Sequence, residues 1–162
     1  MIILRSQSLD GRTGHAAGRE LLAQMVLAHT GKAMPEIEKM PGGKPYFPGS
    51  ELHFSISHTK HWVFCALSDR PVGIDAEELS RKVDLRLAEK VLSAGELAQF
   101  RAASDASKAL LTFWVLKEAE AKCSGEGLRI YPNHTNFSLQ DPRVKEIDGC
   151  LIAVIGEEDY AV

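Results

Sequence analysis

The 162-residue sequence has few cysteines, few aromatic residues, no long apolar run and no surplus of positive charge. Its three cysteines, Cys65, Cys123 and Cys150, are odd in number and far apart and form no C-x-x-C pair. That excludes a disulfide framework and a zinc knuckle, and it fits a reducing compartment. No apolar stretch approaches the ~20 residues that span a bilayer, and Ile2-Ile3-Leu4 meets Arg5 too soon to form a signal-peptide core. A soluble, cytoplasmic protein is expected. Nineteen Lys and Arg against 22 Asp and Glu give a formal net charge of −3, so no global positive field recruits a nucleic acid or a membrane surface. His15, His29, His53, His61 and His134 fall at no metal-ligand spacing.

With 44% apolar and 25% charged residues, the chain can build a core without staples, as one compact domain or two small lobes. Ile2 to Leu4 reads as a short strand. Ala16 to His29 reads as a helix, because Leu21, Leu22, Met25 and Val26 recur at spacings of three and four and Gly31 supplies a stop. Four prolines and three glycines between Met34 and Ser50 exclude both helix and central strand and predict a long ordered loop. Leu52, Phe54 and Ile56 alternate with His53, Ser55 and Ser57 as in a half-buried strand, and Trp62 to Leu67 is the expected hairpin partner. Val72 to Glu77 continues as a strand. Helices are predicted over Val83–Val91, Ser93–Ala103 and Ser107–Cys123, then strands over Thr135–Leu139 and Leu151–Ile155 joined by a charged loop. The order predicts an α+β fold. Phe54-Ser-Ile-Ser before Cys65 faintly echoes Phe137-Ser-Leu-Gln before Cys150, which would suit two lobes of similar build with a cleft at their seam.

Three clusters can carry chemistry. In Gly73-Ile-Asp75-Ala-Glu77 two carboxylates lie two residues apart on a strand and share a face. Like charges so close need exposure or a cation, and hard oxygen donors suit Mg²⁺; a solvated sheet face is the plain alternative. In Trp114-Val-Leu-Lys117-Glu118-Ala-Glu-Ala-Lys122 a stripe of Leu111, Trp114, Glu118 and Lys122 is expected to bury Trp114 and then present a carboxylate and an ammonium at the edge of the core. An i,i+4 surface pair is the alternative there. Lys44, in the proline-braced Gly43-Lys44-Pro45 loop, can offer a charge. Ser57, His58 and Thr59 in the hairpin turn offer hydroxyl, imidazole and backbone donors, or simply make a turn.

In this order, G-K-P, S-H-T, G-x-D-x-E and W-x-x-K-E-x-x-x-K together resemble the 4′-phosphopantetheinyl transferase superfamily, in its two-lobed, surfactin-synthetase-activating type. The resemblance runs from Gly43 to about Leu128. It implies two similar lobes related by a pseudo-twofold, each a small antiparallel sheet packed on a helix. Residues 1–72 would contact the coenzyme A nucleotide, and residues 73–162 would carry the metal site and dock the carrier. It implies transfer of the phosphopantetheine arm of coenzyme A to a serine of an apo acyl or peptidyl carrier protein of fatty acid, polyketide or nonribosomal peptide assembly, with release of 3′,5′-ADP. By motif, Asp75, Glu77 and Glu118 would hold Mg²⁺, and Lys122 would touch the same phosphates. Lys44 and Pro45 would lie beside the adenine, with Ser57, His58 and Thr59 near nucleotide phosphates. The base that takes the serine proton would be Glu118, through a water, or Glu96; for Glu96 the Ser93-Ala-Gly-Glu96 spelling also predicts a capping box. Carrier docking is expected around Leu79–Val91, with Arg81, Lys82 and Arg86 as a basic patch. Two lobes in one chain favour a monomer. A Mg²⁺-dependent nucleotide phosphohydrolase, or a member that binds coenzyme A or a carrier without turnover, are the alternatives.

Overall fold

The computed structural model describes residues 1–125 and 134–156. Strand β1 (Ile2–Ser8) leads into helix α1 (Gly14–Thr30), whose N-terminus is capped by the Thr13 hydroxyl and whose C-terminus is closed by Gly31 in the left-handed region. A two-residue ladder, β2 (Glu38–Lys39) with β3 (Pro45–Tyr46), braces the proline- and glycine-rich loop. The hairpin β4 (His53–His58) and β5 (Trp62–Ser68) follows, then β6 (Val72–Glu78). A single 3-10 turn at Leu85–Leu87 runs into the one-turn helix α2 (Ala88–Val91), so the helix expected over Val83–Val91 is shorter than its sequence suggests. Helices α3 (Ala94–Ala102) and α4 (Ala106–Ser124) come next, and the hairpin β7 (Val144–Ile147) and β8 (Cys150–Gly156) ends the described chain.

The strands form two three-stranded antiparallel sheets, ordered β1-β5-β4 and β6-β8-β7. Each is built by the same chain order: an edge strand, a helix, and a hairpin whose second strand lies in the middle. The two sheets stack between the two long helices. Val63, Cys65 and Leu67 of β5 face Leu22, Met25 and Val26 of α1, while Phe64 and Ala66 of the same strand face Val72, Ile74 and Ala76 of β6 and Ile152 of β8. Leu151, Ala153 and Ile155 of β8 then face Val115, Leu116 and Ala119 of α4. Period-two alternation therefore feeds two different cores from each central strand.

Four expectations change. Thr135–Leu139 is not a strand: Thr135 and Phe137 are drawn to Glu96 and Leu139 to Gln99, so their hydrogen bonds go to side chains rather than to a ladder. The missing strand is β7, inside what reads as the charged loop, because Lys145 and Glu146 are both exposed on this edge strand. The echo between Phe54 and Phe137 consequently pairs the wrong residues, although the chain order itself repeats. Finally, Ser55 and Ser57 are not a solvated face; both are 6% exposed.

Candidate active site

The site lies where β4 and β6, the adjoining edges of the two sheets, meet. Unpaired edge N–H groups must find acceptors when buried. Here the Ser55 hydroxyl accepts from the Ile74 N–H at 3.0 Å, and the Ser57 hydroxyl accepts from the Ala76 N–H at 3.1 Å. Side-chain oxygens thus replace a ladder, and Ser57 also faces the Asp75 carboxylate, its Oγ lying 3.4 Å from Oδ1.

On the other side of β6, α4 packs so close that a Cβ on Gly73 would lie 1.9 Å from the Ala119 carbonyl oxygen. The glycine of G-x-D-x-E is therefore what admits the helix, and close approach brings Asp75 to it. Lys122 on α4 donates to Asp75 Oδ1 at 2.9 Å and to the Ile74 carbonyl at 3.0 Å. Asp75 is 7% exposed, and its Oδ2 is buried with no hydrogen-bond partner among the described residues. Burial pushes the Asp75 carboxyl above its ordinary range and the neighbouring Glu77 adds to this, while Lys122 and Ser57 oppose it. Glu118, one turn before Lys122, is raised first by burial and then by the Asp75 charge. Of the expected stripe on α4 only Leu111 is buried; Trp114, Glu118 and Lys122 are half-buried, and Lys117, which lies off the stripe, is buried instead.

Between the loop at Gly42–Pro45, residues Phe54–Ile56 of β4, and Glu118, Ala121 and Lys122 of α4 lies a cleft of about 290 Å³. Lys44, Pro45, Glu118 and Lys122 line it, with Asp75 and Ser57 adjoining through Lys122 and the seam. Pro45 and the loop backbone form its wall. The Lys44 ammonium, rather than standing free, donates to the carbonyls of Cys123 and Val72. The other expected residues are engaged nearby. Glu77 pairs with Arg81. Thr59 donates to Glu78 at 3.0 Å and holds the hairpin turn by accepting from the N–H groups of His61 and Trp62, while His61 Nδ1 lies 2.8 Å from Glu78. His58 is exposed at the end of β4 against Gly14, where a Cβ would strike its ring.

The structure does not bring Glu96 to this group. Its side chain completes the capping box of α3, and it is fully buried. One oxygen accepts from Ser93 N–H and Lys117 Nζ, the other from Thr135 Oγ1 and Phe137 N–H. With four donors on two oxygens and no exposure, it has no room to take a proton from a substrate.

Among the described residues no three carboxylate, imidazole or thiol groups converge tightly enough to grip a metal ion unaided. A donor set of one or two carboxylates nevertheless suits Mg²⁺, which keeps waters and takes its remaining oxygens from substrate phosphates. The unpartnered Asp75 Oδ2 and the mutual repulsion of Asp75 and Glu118 fit such a cation.

The family model of the 4′-phosphopantetheinyl transferase superfamily matches residues 71–155, just over half of the chain, which takes in β6, α4 and β8. The chain belongs to that superfamily. A 4′-phosphopantetheinyl transferase of Aneurinibacillus migulanus, gsp, is 38% identical over 90 residues, covering 54% of this chain and 37% of the relative. The 4′-phosphopantetheinyl transferase Sfp of Bacillus subtilis strain 168 is 33% identical over 91 residues, covering 54% and 40%. The 4′-phosphopantetheinyl transferase AcpT of Escherichia coli O157:H7 is 36% identical over 129 residues, covering 75% and 64%. The match to gsp thus spans less than half of that relative's length. In this superfamily member two residues shape the site in ways the sequence alone does not show. Ser55 reads as the polar half of an alternating strand, and Gly73 gains meaning only once α4 is known to lie against it. Lys117 could have been singled out, since it directly precedes Glu118 in the same motif.

Proposed function

We propose that the chain transfers the 4′-phosphopantetheine arm of coenzyme A to a serine hydroxyl of an apo acyl or peptidyl carrier protein, releasing 3′,5′-ADP. The observation that carries this reading is the cleft in which a proline-braced loop faces α4, with Glu118, Lys122 and the orphaned Asp75 oxygen gathered on the α4 side. In the reaction the serine oxygen bonds to the β-phosphorus, the bond from that phosphorus to the bridging oxygen breaks, and 3′,5′-ADP leaves with the bridging oxygen. Little covalent chemistry falls to the protein, whose main task is to position the groups and neutralise charge. Lys122 offers its ammonium to the phosphate oxygens on which charge develops. Asp75 and Glu118, with Glu77 at the rim, are the residues that would hold Mg²⁺, which supplies positive charge against the pyrophosphate when bound. Glu118, which lines the cleft, would take the serine proton through a water.

On this reading residues 1–72 contribute the nucleotide wall, including Pro45 and the turn at Ser57, His58 and Thr59, and residues 73–162 contribute the metal and carrier side. The repeated strand–helix–hairpin order supports a pseudo-twofold between them and a monomeric chain. The carrier docks beyond β6, where Leu85 and Leu87 are exposed beside Arg86. No helix among the described residues is long and apolar enough to cross a membrane, which suits a cytoplasmic enzyme.

The test is incubation with coenzyme A, Mg²⁺ and a panel of apo carrier proteins, read by mass spectrometry. Addition of one phosphopantetheine arm is expected. No addition to any carrier overturns the proposal, with phosphate release favouring a phosphohydrolase and coenzyme A binding alone favouring a member without turnover.

A further inference from the structure

We infer that Lys44 is a positioning residue that fastens the nucleotide-side wall of the cleft to the C-terminus of α4 and so sets the width of the cleft. The inference rests on the reading of the cleft as the coenzyme A site, but the latch itself stands on contacts within the chain. Lys44 Nζ donates to the Cys123 carbonyl at 3.1 Å and to the Val72 carbonyl at 3.3 Å, joining segments that lie 79 and 28 residues away. Cys123 is in the last turn of α4, where carbonyls have no partner further along the helix and the dipole favours a cation. Val72 opens β6, the strand of Asp75.

The backbone of the same loop interlocks with the same helix end. Gly125 closes α4 in the left-handed region, its N–H bonded to the Ala121 carbonyl at 2.9 Å. A Cβ on Gly42 would meet the Gly125 carbonyl oxygen at 2.5 Å, so the loop can lie against the cap only because residue 42 has no side chain. Gly43, at φ +91°, turns the chain back so that Lys44 can reach over the cap, and the turn is closed by Gly43 N–H to the Met40 carbonyl at 2.8 Å. The paired glycines of Gly42-Gly43-Lys44-Pro45 thus have separate tasks, one for close approach and one for the turn. Burial pushes the Lys44 ammonium below the ordinary lysine range, and the two carbonyls replace water that it has lost.

Function follows from position. Pro45 on one wall and Lys122 on the other border the same cleft, and Lys122 directly precedes the residue whose carbonyl Lys44 grips. Releasing the latch lets the walls move apart, and misplacement of about 1 Å can cost up to about a hundredfold in rate. A lysine acting only as a phosphate ligand would instead leave α4 unchanged when removed.

The experiment compares wild type, Lys44→Met and Gly42→Ala. Lys44→Met keeps most of the stem and loses the donors, whereas Gly42→Ala pushes the loop off Gly125 and changes no charge. Amide hydrogen exchange of the ligand-free protein is followed at Ser124 and Gly125, and kcat is measured at saturating coenzyme A together with KM. Both variants should exchange at least tenfold faster at these amides, and both should lose kcat as well as raise KM. Exchange at the wild-type rate in Lys44→Met, or in Gly42→Ala should Lys44→Met fail to fold, overturns the latch. A rise in KM for coenzyme A with kcat and exchange unchanged also overturns it and makes Lys44 a plain ligand. If wild type modifies no carrier, the functional reading fails, and the exchange measurement still decides the latch.

Discussion

Gly73 and Asp75 show how two residues of one motif do different work. Gly73 has no room for a methyl group: its nearest neighbours would be the Ala119 carbonyl oxygen at 1.9 Å and the Cys123 nitrogen at 2.5 Å, and backbone atoms cannot rotate aside. Gly73→Ala must therefore push α4 from β6, at a cost of about 3 kcal/mol or more, seen as a lower urea midpoint. Because α4 carries Glu118 and Lys122, transfer should also fall in whatever protein remains folded. Asp75 is the opposite case, a costly buried carboxylate with one oxygen left unpartnered. Asp75→Asn removes a charge that burial disfavours, and Lys122, still one-third exposed and bonded to the Ile74 carbonyl, is not stranded in a dry interior. Stability should stay within about 1 kcal/mol while phosphopantetheine transfer falls at least about a hundredfold. A variant that kept near-normal turnover would remove Asp75 from the proposed metal set.

Helix α4 and the segment that crosses it are where pattern and structure part. The helix itself was legible, together with the motif it bears, because periodicity is local. Its faces were not: α4 packs on β6 and β8 on one side and on α3 on the other, so ten of its residues are buried and the amphipathic stripe all but vanishes. Lys117 consequently lies in the interior, 1% exposed, paired with Glu96 at 2.6 Å. The capping box of Glu96 could be read from Ser93-Ala-Gly-Glu96, but the second task of the same carboxylate could not, since Lys117, Thr135 and Phe137 reach it from other parts of the chain. That long-range demand also takes Thr135 and Phe137 out of any strand. Burial opposes the ionisation of Glu96, yet the Lys117 ammonium and the N–H groups of Ser93 and Phe137 overcome it and hold the carboxyl below its ordinary range. A carboxylate with a depressed folded-state pKa stabilises fully above its unfolded value and loses that contribution as pH falls through the folded one. Glu96→Gln should therefore cost about 3–5 kcal/mol near neutral pH, and the gap to wild type should close as pH drops below the ordinary glutamate value of 4.5. Urea midpoints measured from pH 7 downward test this, and a gap constant with pH would mean that the cap alone accounts for the loss.

At the scale of the whole molecule, two units of like chain order share one interior, and this decides whether they unfold together. The α+β class was readable from the order of strands and helices and two lobes were implied by the family resemblance, but the sheet-on-sheet contact was not legible, because Val72, Ile74 and Ala76 carry no mark of which neighbour they face. In the structure they meet Phe64 and Ala66 of the first sheet in a single buried cluster with Cys150 and Ile152. Ser55 and Ser57 fix the lateral position of this contact by accepting the Ile74 and Ala76 N–H groups. Neither unit can withdraw without exposing the other's apolar face and leaving buried donors unpaired. The two tryptophans make this measurable, since Trp62 lies on β5 of the first unit and Trp114 on α4 of the second. Single-tryptophan variants should report coincident urea midpoints. The double replacement Ser55→Ala and Ser57→Ala strands two buried N–H groups at about 1–3 kcal/mol each, and it should lower both midpoints together. Separated midpoints, in wild type or in the seam variant, would show that each unit holds its own stability and that the common interior does not couple them.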